Sequence, residues 1–83
     1  MSAYYELFHV LTQTESARIR LLVSELELHE AVRLRNLHYP EVAADFNARG
    51  GNETPALWDG EALLQGETAV SERLRALAAN RPA

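Results

Sequence analysis

The sequence predicts an α/β domain in which four strands form a mixed sheet and helices cover both of its faces. Two observations predict this class. Strand-like and helix-like apolar spacings follow one another in the order β-α-β-α-β-β-α. The dipeptide Asp59-Gly60 is typical of a hairpin turn between the last two strands. The chain has 83 residues, so we expect a single domain over residues 1–83.

The first βα unit is predicted from residues 4–26. Residues 4–11 are rich in aromatic and branched side chains and apolar on both faces, which is typical of a central strand. A polar turn follows at residues 12–14. Apolar residues then recur at positions 19, 22, 23 and 26, the spacing of an amphipathic helix. Thr14 is the predicted N-cap of this helix.

The second unit is predicted from residues 31–50. Residues 31–37 alternate between apolar and polar side chains, which indicates a half-exposed strand near a sheet edge. Arg33 and Arg35 fall on the polar side and are interpreted as a solvated face. Pro40 suits the first turn of a short second helix, and the glycines after Arg49 suit its end.

The last unit is predicted to be a hairpin followed by a helix. Residues 54–58 form the third strand, Asp59-Gly60 the two-residue turn, and residues 61–64 the returning fourth strand. Residues 67–79 carry apolar side chains at helical spacing and form the third helix. Because the first βαβ unit is parallel and the hairpin antiparallel, the sheet is expected to be mixed.

Composition excludes several classes of function. The net charge is −4, and all eight basic residues are arginines scattered along the chain, so nucleic acid is not an expected partner. The chain has no cysteine, which excludes disulfides, thiolate metal sites and thiol nucleophiles. No apolar run approaches the ~20 residues that span a bilayer, so no membrane contact and a cytoplasmic location are expected.

The histidines do not have the spacing of a zinc site, and no metal is expected. His9 lies in the first strand and is predicted to be a hydrogen-bonded structural residue. His29 and His38 are predicted to be solvent-facing residues of loops.

Three local patterns carry a family resemblance: residues 15–22 (ESARIRLL), residues 53–57 (ETPAL) before Asp59-Gly60, and residues 66–70 (GETAV). In this order and spacing the chain resembles the amino-terminal domain of glutathione transferases and, more distantly, glutaredoxins. The resemblance implies a thioredoxin-like fold, a cis proline, and glutathione bound at the carboxyl edge of the sheet. The transferases' second, all-helical domain is expected to be missing, because the chain stops where that domain would begin.

The resemblance also implies a ligand site. Pro55 matches the cis proline of the family, and Thr54 before it is expected to offer its main-chain N–H and C=O to the ligand. Gly66 and Glu67, with Thr68 next, match the start of the last helix, where relatives bind the γ-glutamyl group. The N–H groups of a helix start favour an anion there.

Two carboxylates are expected to weaken glutathione binding. Glu67 lies beside the ligand's own carboxylate, and Glu53 stands where relatives often carry lysine or glutamine. Two like charges in a partly exposed site cost about 1–4 kcal/mol. Arg49 is the residue expected to offset part of this cost.

The catalytic position of the redox and serine-type relatives matches Gln13, and that of the tyrosine-type relatives matches Leu7. Neither side chain is a nucleophile, although the Gln13 amide is able to donate a hydrogen bond to sulfur. Thr12 and Thr14 flank it with hydroxyls. A turn and an N-cap are the simpler interpretation of these three residues.

Three functions follow as hypotheses. The first is a module that binds glutathione, a similar peptide-like ligand or a protein strand at Thr54, without thiol–disulfide chemistry. The second is a glutathione-dependent transferase that uses Thr12, Gln13 or Thr14. The third is a protein-interaction subunit with a vestigial pocket. The sequence leaves the oligomeric state open.

Overall fold

The computed structural model describes residues 5–80. Strands and helices follow the predicted order, and they are β1 (Tyr5–His9), α1 (Thr14–Glu25), β2 (Val32–Asn36), α2 (Pro40–Ala48), β3 (Ala56–Trp58), β4 (Leu63–Gln65) and α3 (Glu67–Asn80). The α/β class and the mixed four-stranded sheet are therefore confirmed. Tyr4, predicted to begin the first strand, lies outside the described residues.

The sheet has the strand order β2-β1-β3-β4, which makes β1 a central strand, as its apolar faces predicted. β1 is parallel to β2 and antiparallel to β3, and β3 is antiparallel to β4. Phe8 near the end of β1 pairs with Ala56 at the start of β3. The segment before β3 therefore lies beside the turn that follows β1.

Apolar side chains pack in two layers, one on each face of the sheet. The larger cluster joins β1, β2 and β3 to α1 and α3, and its buried members are Leu7, Ile19, Leu22, Val23, Leu28, Val32, Leu57, Val70 and Leu74. The smaller cluster lies under α2 and consists of Phe8, Val42, Phe46 and Ala56. None of the helices within residues 5–80 combines the length and the apolar character needed to cross a bilayer.

One arginine of β2 is buried, contrary to the expectation of a solvated face. Arg35 is only 9% exposed. Its guanidinium binds the carboxylate of Glu6 on β1 and donates to Asp45 Oδ2 of α2 at 2.8 Å. Arg33 is exposed, as predicted. The prediction is wrong for Arg35 because the alternation of residues along β2 carries no information about the neighbouring strand, where Glu6 supplies a buried carboxylate.

The turn between β3 and β4 is longer than the two residues predicted. The β4 strand begins only at Leu63, and the Asp59 N–H donates to the Ala62 carbonyl at 3.2 Å. Asp59 Oδ1 accepts the N–H groups of Glu61 and Ala62 at 2.9 and 2.8 Å. The Asp59 side chain thus stabilises a four-residue turn. Its hydrogen bonds to main-chain N–H groups favour this turn over the predicted two-residue turn.

Candidate functional site

Three segments meet at one end of the central strands β1 and β3. They are the turn between β1 and α1, the segment before β3, and the start of α3. The Thr54–Pro55 peptide bond is cis, as expected, and Pro55 is buried. The Gly66 N–H donates to the Pro55 carbonyl at 2.9 Å. The segment of residues 53–55, here called the cis-proline loop, is therefore hydrogen-bonded to the residue that precedes α3.

Gln13 connects the start of α1 to this loop. Its Nε2 donates to the Thr54 carbonyl at 3.0 Å, and its Oε1 accepts from the Thr54 hydroxyl at 3.0 Å. The same Oε1 accepts from the hydroxyl of Ser16, which is fully buried and in turn accepts the Val10 N–H at 3.1 Å. Gln13 therefore acts as a brace between two segments that lie far apart in sequence.

The N-cap of α1 is Gln13 and not Thr14, which was the predicted residue. Thr14 is the first residue of the helix itself. The Gln13 side chain makes no capping hydrogen bond, because its amide is directed to Thr54 and Ser16. The residue preferences of helix caps depend on neighbouring positions only, so they do not reveal that Gln13 bonds to Thr54, 41 residues along the chain.

Thr54 is half-buried and partly occupied by the protein itself. Its carbonyl accepts the bond from Gln13, and one carbonyl lone pair remains. Its N–H has no acceptor within residues 5–80. The resemblance implied that both groups are available to a ligand. The N–H is available, and the carbonyl is shared with Gln13.

The Glu67 carboxylate at the start of α3 is neutralised by Arg18 of α1. Arg18 Nε and Nη2 donate to its two oxygens at 2.5 and 2.7 Å. This pairing lowers the pKa of Glu67 below its ordinary value. Arg49, expected to offset the charge, binds Glu6 Oε2 at 3.0 Å and lies over the Trp58 ring instead. That expectation is wrong, and Arg18 takes the role.

Glu53 lies close to the same helix start. A Cβ placed on Gly66 would come 3.1 Å from Glu53 Oε2, so the glycine leaves room for this carboxylate. Gly66 also has a φ of +98°, which disfavours any side chain there. Thr68, one residue into the helix, is exposed.

Gln65 was missed by the sequence reasoning. Its Oε1 accepts the N–H groups of Asn52 and Glu53 at 2.9 Å each, and its Nε2 donates to the Gly50 carbonyl at 3.3 Å. These bonds fix the chain that leads into the cis-proline loop. A glutamine at the end of a strand carries no signal of this role.

The remaining candidates separate by exposure. Leu7 is fully buried in the larger core and does not reach the site. Thr12 and Thr14 are exposed, and their hydroxyls form no hydrogen bond within residues 5–80.

No cluster of three His, Asp or Glu side chains in that part of the chain is arranged to hold a metal ion. His9 is buried and His29 and His38 are exposed, as predicted.

Comparison with known proteins adds no identity. No protein-family model matches the chain. No curated protein matches it with significant similarity. The likeness to glutathione transferases therefore rests on the motifs quoted above, and the function must be inferred from the geometry of this site.

Proposed function

We propose that the chain is a thioredoxin-like binding module that holds glutathione, or a similar peptide-like ligand, across the cis-proline loop and the start of α3. It performs no thiol–disulfide exchange, because the chain contains no cysteine. The ligand is bound without being chemically activated.

The observation that carries this proposal is the unused N–H of Thr54. Thr54 is partly buried, its N–H has no acceptor within residues 5–80, and an extended ligand supplies the missing carbonyl. The free lone pair of the Thr54 carbonyl accepts an N–H of the same ligand. A ligand carboxylate then lies at the first turn of α3, where main-chain N–H groups favour an anion.

Charge sets the expected affinity. The pair between Arg18 and Glu67 removes one of the two repulsive carboxylates, and Glu53 remains beside Gly66. Two carboxylates at ~4–5 Å in a partly exposed site repel by about 1–4 kcal/mol. We therefore expect weak glutathione binding that tightens when Glu53 is neutralised.

The test is a titration with glutathione followed by amide chemical shifts. Gln13, Thr54 and Glu67 are expected to shift together, and Glu53→Gln is expected to strengthen binding several-fold. Glu30→Gln, an exposed residue of another loop, serves as the matched control. Shifts at other residues only, or none at millimolar glutathione, contradict the proposal.

S-methylglutathione separates binding from catalysis. Since no side chain of the site activates a thiol, the methylated ligand is expected to bind as tightly as glutathione. A strong preference for the free thiol, together with conjugation of a model electrophile that Thr12→Val abolishes, would favour the transferase hypothesis instead.

One observation favours a protein-interaction role as the second candidate. Leu21 on α1 is 58% exposed, although it is large and apolar. It lies in a groove of about 300 Å³ between α1 and α3, whose lining includes Arg18, Glu25 and Arg75. A sedimentation coefficient that rises with concentration and is reduced by Leu21→Ser is the expected sign of this role.

A further inference from the structure

A second groove lies at the carboxyl ends of the two parallel strands. It has a volume of about 420 Å³ and is lined by Val10, Leu11, Thr12, Asn36, Leu37 and His38. Leu11 is 59% exposed and offers an apolar surface to a ligand. Grooves of this size and lining are typical of small-molecule sites.

Part of the main chain around this groove is already satisfied by the protein. The Val10 N–H donates to the Ser16 hydroxyl, and the Leu37 N–H donates to the His9 carbonyl at 3.0 Å. The His38 N–H donates to Asn36 Oδ1 at 2.9 Å. A ligand in the groove gains apolar contact, and the N–H groups of Leu11 and Thr12 have no acceptor within residues 5–80.

Arg20 supplies a positive charge beside the groove. Arg20 is partly buried as a residue, and no carboxylate within residues 5–80 pairs with it, whereas Arg35 and Arg49 have such partners. A partly buried cation without a carboxylate partner favours an anion nearby.

The present partners of Arg20 leave much of its donor capacity unused. It contacts the carbonyls of Val10 and Leu11 at 3.4 and 3.5 Å and the Nδ1 of His9 at 3.1 Å. The two carbonyl distances lie at or beyond the long end for N–H···O bonds, and a carboxylate accepts from guanidinium at about 2.7–2.9 Å. Both carbonyls belong to residues that line the groove.

We propose that this groove binds a small monocarboxylate with an apolar tail. The tail lies on Leu11 and Leu37, and the carboxylate accepts hydrogen bonds from Arg20 in place of the long contacts to the two carbonyls. The lining of this groove includes neither Gln13 nor Thr54 nor Glu67, so either site is able to fail without the other.

The first test compares hexanoate, hexanamide and hexylammonium, which share a tail and differ in charge. Hexanoate is expected to shift the amides of Leu11, Thr12, Leu37 and His38, and the other two compounds to bind at least about tenfold more weakly. Equal binding of hexanamide, or hexanoate shifts confined to residues outside the groove, would overturn the proposal.

The second test uses variants. Arg20→Gln is expected to weaken hexanoate binding at least about tenfold and to leave hexanamide binding unchanged. Arg33→Gln is the matched control, because Arg33 is an exposed arginine away from the groove. Leu11→Gln tests the tail independently, since so exposed a side chain is replaceable without loss of the fold. Hexanoate binding that survives both Arg20→Gln and Leu11→Gln contradicts the site.

Discussion

Glu6 lies on the face of β1 that also carries Phe8, and it is only 8% exposed. Its two carboxylate oxygens bind Arg35 and Arg49, and Arg35 continues to Asp45. Arg35 and Arg49 also lie over the Phe8 ring, at 5.4 and 5.7 Å from its centroid. A buried carboxylate is thus bound by two arginines, and both arginines also contact an aromatic ring.

Glu6→Gln is expected to destabilise the protein by about 3–5 kcal/mol, because it leaves Arg35 buried without its main partner. Asp45→Asn is the control, since the Asp45 side chain is 50% exposed and a pair of that kind contributes about 0–1 kcal/mol. Urea unfolding measures both. The double variant Glu6→Gln with Arg35→Met should be more stable than Glu6→Gln alone. Equal losses for Glu6→Gln and Asp45→Asn would show that the network is not a buried one.

His9 is expected to make stability depend on pH. Burial, and secondly the charge of Arg20, lower its pKa from the ordinary 6.5. The unfolded chain therefore binds the proton at higher pH than the folded protein does. The free energy of unfolding is expected to fall as pH drops through 6.5 toward the folded pKa, by at most about 1.4 kcal/mol per pH unit. Above pH 6.5, His9 is neutral in both states, so it is expected to add no pH dependence there.

Denaturant midpoints between pH 7.5 and 5 measure this effect. His9→Gln should flatten the profile, and His38→Gln, at an exposed position, should leave it unchanged. The pKa values of Asp45 and Asp59 are also lowered, by Arg35 and by the turn N–H groups, but these carboxylates titrate in a more acidic range. An unchanged slope in His9→Gln would contradict the assignment.

At the scale of elements, the sequence predicted the order of strands and helices and most of their bounds. Apolar periodicity is a local property, so α1, α2 and α3 were found to within one or two residues. The site was predictable only in part. The cis-proline loop followed from the resemblance, but the partners of Glu67 and Gln13 depend on α1 lying against α3 and the loop, which no local pattern specifies.

The link between α1 and the cis-proline loop gives a prediction of its own. Gln13→Ala removes both hydrogen bonds to Thr54 and leaves the Ser16 hydroxyl without its acceptor, so we expect a loss of about 1–3 kcal/mol. Amide exchange of Asn52 and Glu53, whose N–H groups donate to Gln65, should also become faster. Thr12→Val, at an exposed position beside it, is the control. Unchanged exchange in Gln13→Ala would mean that Gln65 alone holds the loop.

At the scale of the whole molecule, one sheet joins two unequal layers. The layer over α1 and α3 has nine buried apolar residues, and the layer under α2 has four. The smaller layer is reinforced by the charges of Glu6 and Arg35, which lie between β1, β2 and α2. β1 contributes Leu7 to the first layer and Phe8 to the second, so each layer is anchored on the same central strand.

Because both layers depend on β1, we expect them to unfold together. Trp58, the one tryptophan, packs against the smaller layer and reports it by fluorescence, whereas far-UV circular dichroism is dominated by α1 and α3. The two urea transitions should coincide. They should still coincide in Phe46→Ala, which is expected to lower stability by about 3–5 kcal/mol. A fluorescence midpoint below that of the dichroism would mean that α2 leaves the sheet first, so that β1 does not couple the layers.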